Sequence, residues 1–248
     1  MVSDLFIGPR YLLRGFALIT RRGLRRFFLI PLLINVVVFA GLIGIGVSQF
    51  DVLVDWLLPT GDSWWAMLAR GLLWTLFALA TALVVFFTFT VIANLIAAPF
   101  NGLLAARVER ALGGHASEQV SARGWVAGVA TAVASELRKF RYFVIILLFP
   151  IVLTLIPVVN ILAPFVWIGV TAWMLALEYL AYPLENHGFQ FRAVRRMAHA
   201  RRIMTLSFGI AVMAATLIPF INLAVMPASV AAATALWIDR KELGMAAH

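Results

Sequence analysis

Thr20-Arg21-Arg22-Gly23-Leu24-Arg25-Arg26-Phe27-Phe28-Leu29-Ile30-Pro31 sets four arginines and a glycine directly before 24 uncharged residues, Phe27 to Phe50. At ~1.5 Å per residue such a run covers the ~30 Å hydrocarbon layer, so a helix enters a membrane here with a basic amino-terminal end. The first N–H groups of a helix lack intrahelical partners, and its dipole makes that end partly positive. Such an end can hold an anion. Gly23 lets the backbone approach an oxyanion closely, and the guanidinium groups of Arg25 and Arg26 can close on it with paired hydrogen bonds. A blander reading stands beside this one: arginines flanking an apolar span mark its cytoplasmic end and snorkel into the headgroups.

Composition agrees with a membrane protein. Hydrophobic residues make up 63% of the 248 and charged residues 12%, outside the range of soluble globular chains. The first 26 residues hold six arginines and no short apolar core with a small-residue cleavage site, so the first span is expected to stay in the mature protein. Without cysteine, disulfides, thiolate catalysis and iron–sulfur clusters are excluded. The net charge of +9 sits beside the apolar spans, as anionic headgroups and the positive-inside bias require, and no nucleic-acid recognition motif accompanies it.

Along the chain, Ser3-Asp4 is a plausible helix cap, and residues 3–20 place Arg10 and Arg14 one turn apart against Tyr11, Leu12, Phe16 and Ile19. This predicts an interfacial helix lying on the membrane. The first span, 27–50, carries Gly41, Gly44 and Gly46 as sites for close helix contact. Asp51, Asp55 and Asp62 then fall in a connection with no Lys or Arg before Arg70, and Trp56, Trp64 and Trp65 give it a membrane-surface character, so it should be periplasmic. The next 36 residues, Gly71 to Ala106, are uncharged and form a second span that extends beyond the hydrocarbon layer or ends near Pro99. Residues 107–141 are mixed in charge and hold Gly113-Gly114, which predicts two cytoplasmic helices joined by a turn.

Two further uncharged runs of 36 residues, Tyr142 to Leu177 and Ile203 to Ile238, are broken near their middles, at Pro157–Pro164 and Pro219–Pro227. Arms such as 142–156, 203–218 and 228–238 would measure roughly 22, 24 and 16 Å, short of a ~30 Å core. Neither turn carries a charge. Hairpins that dip into the membrane and return therefore fit better than two tight full hairpins, their turn carbonyls satisfied within protein or a water-filled cavity. Both ends then stay on the cytoplasmic side, as the basic connection Arg192, Arg195, Arg196, Arg201 and Arg202 requires. Asn94, Asn160 and Asn222 are each followed four or five residues later by proline, a pattern that bends helices and caps their broken ends.

No HExxH pair, no phosphate-binding Gly-Lys-Ser/Thr loop and no nucleophile elbow occurs, and the four histidines are scattered. Catalysis, metal sites and cofactors are therefore not expected. Glu178 borders an apolar run closely, and an ionisable group there is a functional candidate whose structural alternative is pairing with an interfacial arginine. Between Gly15 and Asn35 four arginines and no carboxylate offer donors almost without acceptors. Sulfate, fully deprotonated at neutral pH, suits such a lining. A protonated phosphate would leave its O–H unpaired, at a cost of roughly 1–3 kcal/mol.

Gly-Leu-Arg-Arg-Phe at 23–27 with Pro31 and Asn35, followed by Ala93-Asn94-Leu95-Ile96-Ala97-Ala98-Pro99-Phe100-Asn101-Gly102-Leu103-Leu104-Ala105, resembles the CysZ sulfate-permease family of bacterial inner membranes. Tyr182-Pro183 with Asn186-His187, and Ile218-Pro219 through Asn222 to Met226-Pro227, are similar to the same family. The resemblance spans essentially the whole chain. It implies an α-helical permease that feeds sulfate into cysteine synthesis, with sulfate held at Gly23, Leu24, Arg25 and Arg26. Family members often carry proline before that glycine, whereas this chain has Arg22.

The expected fold is an all-α integral membrane protein with two long transmembrane helices, two proline-interrupted re-entrant hairpins, and amphipathic and cytoplasmic helices. Its parts would be an interfacial helix and anion-site turn (1–26), two spans (27–106), cytoplasmic helices (107–141), a first hairpin (142–182), a basic connection (183–202), and a second hairpin with the tail (203–248). Arg22, Glu109, Arg110, Glu178 and His187 are candidates for the ion's path or for its coupling. Expected partners are sulfate, membrane lipids and further copies of the chain, because two spans and two shallow hairpins cannot wall a polar path alone. The alternative from another class is a non-transporting scaffold binding anionic lipid through Arg10, Arg14, Arg21 and Arg22.

Overall fold

The computed structural model describes residues 2–58, 63–114 and 125–240, without the side chains at 2–3, 31, 86–99 and 125–138. Expectations for Ser3, Pro31, Asp62, Asn94 and Pro99 lie outside the described side chains. All regular structure among the described residues is helical: α1 (Val2–Ile19), α2 (Arg26–Leu57), α3 (Trp64–Ala111), α4 (Trp125–Leu155), a short 3₁₀ turn (Val159–Leu162), α5 (Ala163–Asn186), α6 (Phe191–Ala200), α7 (Arg202–Thr216) and α8 (Pro219–Asp239). Four described helical stretches are long and apolar enough to cross a membrane, in α2, in α3, from the 3₁₀ turn through α5, and in α8.

Two compact units divide the chain, one comprising residues 1–28 and 101–248, the other 29–100. In the second unit α2 and α3 meet near their connection. Phe50 stacks on Phe77 with centroids 4.0 Å apart and meets Trp74 edge-on, while Arg70 donates to Asp55 at 2.7 Å. Val54 and Ala66 are buried there, and large apolar side chains such as Leu33, Val37, Leu72 and Leu79 are exposed, as a lipid-facing surface requires. The glycines only partly meet their expected role: Gly46 lies near Phe77, but a Cβ at Gly41 or Gly44 would have nothing within 4 Å.

The first unit is built on α1, α5, α7 and α8. α1 packs along α8 and α7, and α5 packs on both of these and on α4. Small residues make the approach possible: a Cβ on Gly15 would fall 2.1 Å from the Ala228 carbonyl oxygen, and one on Gly209 would fall 1.8 Å from that of Ala172. Where lipid tails are as apolar as the side chains, such close backbone contact is what holds helices together. Ile7, Leu12, Leu18 and Ile19 of α1 are buried on this bundle, whereas Leu5, Phe6 and Leu13 are exposed on its far side. Tyr11 and Arg14 both donate to the Asp239 carboxylate, tying α1 to the end of α8.

Several helix limits differ from the sequence reading. α3 is helical from Trp64 through Pro99 to Ala111, 48 residues, and ends at a turn where Gly113 takes φ +79° and Gly114 N–H donates to the Glu109 carbonyl. Within the charged segment 107–141, the described helical residues belong to the end of α3 and the start of α4. α4 is one helix of 31 residues through Pro150, and α8 is one helix of 21 residues through Pro227. The second hairpin turns at Leu217–Ile218, ahead of Asn222, so the arm expected at 228–238 actually begins at Pro219. Proline at the first helical position needs no N–H donor, which is why Pro219 opens α8. Only α7, with 15 residues, keeps the expected short length, about 22 Å at 1.5 Å per residue. In the first turn Val158 sits at φ +69° between α4 and the 3₁₀ segment.

Candidate functional site

The loop joining α1 to α2 is a compact turn. Arg21 N–H donates to the Leu18 carbonyl at 3.1 Å, and the Leu24 and Arg25 N–H groups both donate to the Arg21 carbonyl, at 3.1 and 3.2 Å. Gly23 makes this possible by adopting φ +94°, a left-handed conformation that a side chain disfavours. Leu24 is 5% exposed and belongs to the core of the first unit, and Phe27 packs against that core. The hydrophobic effect thus pins one residue of the turn, while Arg21, Arg22, Gly23, Arg25 and Arg26 stay exposed around it. Arg26 lies 5.2 Å from the Phe27 ring centroid. None of the four arginines has an ion-pair partner among the described residues, and the N–H groups of Gly23 and Arg26 have no backbone acceptor among them. Such an arrangement leaves N–H donors and exposed guanidinium groups available to an anion.

A second set of polar groups lines the face of α5 toward α3 and α4. Glu178, Tyr182, Glu185 and Asn186 fall four, three and one residues apart, on one side of the helix. Tyr182 O–H donates to Glu178 Oε1 at 3.4 Å and accepts from Asn101 Nδ2 at 3.4 Å. Asn186 Nδ2 donates to the Gly102 carbonyl at 2.9 Å. Lys139 of α4, 1% exposed, reaches Glu185 at 3.1 Å, as a cation removed from water must find a partner. Beyond the end of α5, His187 Nε2 lies 2.8 Å from Glu109 Oε1, while the buried Glu109 Oε2 has no partner among the described residues.

Of the residues expected on the ion's path, the structure brings Glu109 and His187 together and sets Glu178 in the polar row on α5. Arg22 and Arg110 are exposed. Lys139, Glu185, Asn101 and Asn186 were not among the expected site residues, although the recurrence of Glu178, Tyr182, Glu185 and Asn186 at helical spacing in an apolar helix is a signal that marks the two on α5. Lys139 carried no such mark, because its burial depends on how α4 meets α5.

The family described as Sulfate transporter CysZ/Etoposide-induced protein 2.4 matches residues 11–227. A protein of Pseudomonas syringae pv. tomato named "Sulfate transporter CysZ" is 44% identical over 97% of this chain and 95% of its own. Like-named proteins of Pseudomonas fluorescens and Pseudomonas aeruginosa are 41% and 40% identical, over 97% and 93% of this chain and 96% and 94% of theirs. Together with the four membrane-length helices, these findings make the chain a multi-pass protein of the bacterial inner membrane, of a transport family and not an enzyme.

Proposed function

The chain belongs to the Sulfate transporter CysZ/Etoposide-induced protein 2.4 family, and from that premise we propose that it is a permease carrying sulfate inward, for assimilation into cysteine, with the anion captured at Gly23, Leu24, Arg25 and Arg26. The observation that supports this capture site is the turn itself, in which a buried Leu24 is flanked by exposed arginines without ion-pair partners among the described residues and by N–H groups without backbone acceptors among them. Arg22 adds charge at its edge. Glu109, His187 and Glu178 are proposed as groups along the ion's path, with Arg110 at its mouth.

Membrane lipids and further copies of the chain complete this reading. The hairpin tips are apolar and exposed, Val158, Ile161, Leu217 and Phe220 each leaving more than 70% of their surface open, and we assign them to lipid tails or a neighbouring copy. The deciding experiment is sulfate binding and flux in liposomes for Arg25→Ala/Arg26→Ala against Arg10→Ala. The double change should abolish binding while Arg10→Ala leaves it near normal, since charge-assisted hydrogen bonds are short-ranged and directional. Unchanged sulfate binding by a correctly folded double variant would place the site elsewhere.

A further inference from the structure

Helix α1 runs directly into the Gly23 turn, since the Arg21 N–H still donates to the Leu18 carbonyl, so the turn is carried wherever α1 stands. Its first turns are held by α7, where Ser207 Oγ accepts from the Gly8 N–H at 3.2 Å and donates to the Asp4 carbonyl at 2.9 Å. Pro9 follows at once. Its ring lacks an N–H and crowds the carbonyl four residues back, so the helix is weakened where the hold of Ser207 ends. Beyond Pro9, α1 lies on α8, and Gly15 meets the Ala228 carbonyl and the Ala232 Cβ.

That contact is close, but it does not choose a position along α8. Ala224, Ala228 and Ala232 recur every four residues, so a shift of one turn, about 5.4 Å, toward the start of α8 would seat Gly15 on a like pair. What marks the observed register is directional. Tyr11 O–H donates to Asp239 Oδ2 at 2.9 Å and Arg14 Nη1 donates to the same oxygen, from positions three residues apart on one face of α1. Asp239 is the last residue of α8, the end at which the helix dipole disfavours an anion. Arg14 and Asp239 each keep more than a third of the side chain exposed, and an ion pair so open to water adds little stability. Its two donors on α1 give this acid a use that stability does not, the choice of register.

Resting on the reading that the turn captures sulfate, we propose that Asp239 is a positioning residue for that site: through Tyr11 and Arg14 it fixes where α1 stands along α8 and so aims the turn. Asp239→Asn tests this by sign. Removing a negative charge would, through space alone, strengthen the binding of a dianion, whereas loss of the register weakens it. If the competent register falls to about a tenth of the molecules, the sulfate Kd rises about tenfold. Tyr11→Phe changes no charge and should shift binding in the same direction. The natural chain has no cysteine, so spin labels at Leu13→Cys and Phe220→Cys, both exposed positions, report on α1 against α8 by double electron–electron resonance. The expected result for Asp239→Asn in the full chain is weaker sulfate binding by calorimetric titration, with a second label distance shorter by up to about 5 Å and a Tm near that of wild type. Unchanged or tighter binding overturns the proposal, and so does weaker binding at an unchanged label distance; in both cases the loss of binding in Arg25→Ala/Arg26→Ala leaves the turn standing as the capture site. Normal binding by that arginine variant removes the capture reading, and the proposal with it, while the label distance still reports the register.

Discussion

Gly23→Ala separates backbone geometry from charge at the proposed capture turn. A Cβ at this position would meet nothing within 4 Å, so the substitution causes no clash and removes no arginine. Its whole cost lies in φ, which is +94° here and which an L side chain adopts at about 1–2 kcal/mol. Either the turn keeps its shape and loses stability by that amount, or it relaxes toward negative φ and re-aims the N–H groups of Gly23 and Arg26. Because Leu24 is held in the core, relaxation must be taken up by the exposed residues that are proposed to meet the anion. Roughly tenfold weaker sulfate binding follows from about 1.4 kcal/mol. Gly23→Asn, which tolerates left-handed backbone better, should lose less. Calorimetric titration of sulfate into detergent-purified protein, paired with thermal unfolding, reads both outcomes. Gly23→Ala protein that unfolds and binds sulfate as wild type does would refute the argument that the turn's conformation matters to capture.

Gly209→Ala should destabilise the first unit by about 1–3 kcal/mol through overpacking, because its Cβ would fall 1.8 Å from the Ala172 carbonyl oxygen, whereas Gly169→Ala, with open space, should be neutral or better in thermal unfolding. Lys139→Met should cost less than Glu185→Gln in denaturant or thermal assays, since changing the acid removes an ion-pair partner of a cation that is 1% exposed; equal effects would mean that the pair is not energetically coupled. His199 should titrate below its ordinary value of 6.5, because partial burial first, then Arg202 and Arg195, disfavour its charged form. The unfolded chain then binds the extra proton more readily, so this residue's contribution is intact above 6.5 and is lost as pH falls toward the folded value; NMR titration giving a value at or above 6.5 would contradict it.

What could be read in advance was set by patterns that act locally. Uninterrupted apolar runs mark helices in a membrane because backbone groups there must pair within their own segment, and the runs at Phe27 and Gly71 are helical as expected. Gly23 and its arginines stand out because a left-handed turn and uncompensated charge both need particular residue types. Proline misled at Pro227. The ring breaks a backbone bond only at one level of the helix, and packing around the buried Pro227 lets α8 continue through it. Nor do Gly41 and Gly44 differ in composition from Gly15 and Gly209; what separates them is whether another helix crosses at that level, which is a property of tertiary structure. The Lys139 pair was hidden for the same reason, its two members lying on α4 and α5 with no sequence relation between them.

Charge balance distinguishes the two polar regions of the first unit and suggests different tasks for them. A dianion leaving water loses solvation that only donors and positive charge can replace, and the cost rises steeply with burial. Around α5 Lys139 is paired with Glu185 and His187 is hydrogen-bonded to Glu109, so a sulfate there would compete with carboxylates and gain little. At the Gly23 turn none of the four exposed arginines is matched among the described residues, and the anion can be met while still partly hydrated. On the proposed reading, capture therefore belongs to the unmatched turn. The matched pairs suit passage, because a path must bind weakly enough to release, and each carboxylate facing the ion lowers the depth of the well it would otherwise fall into.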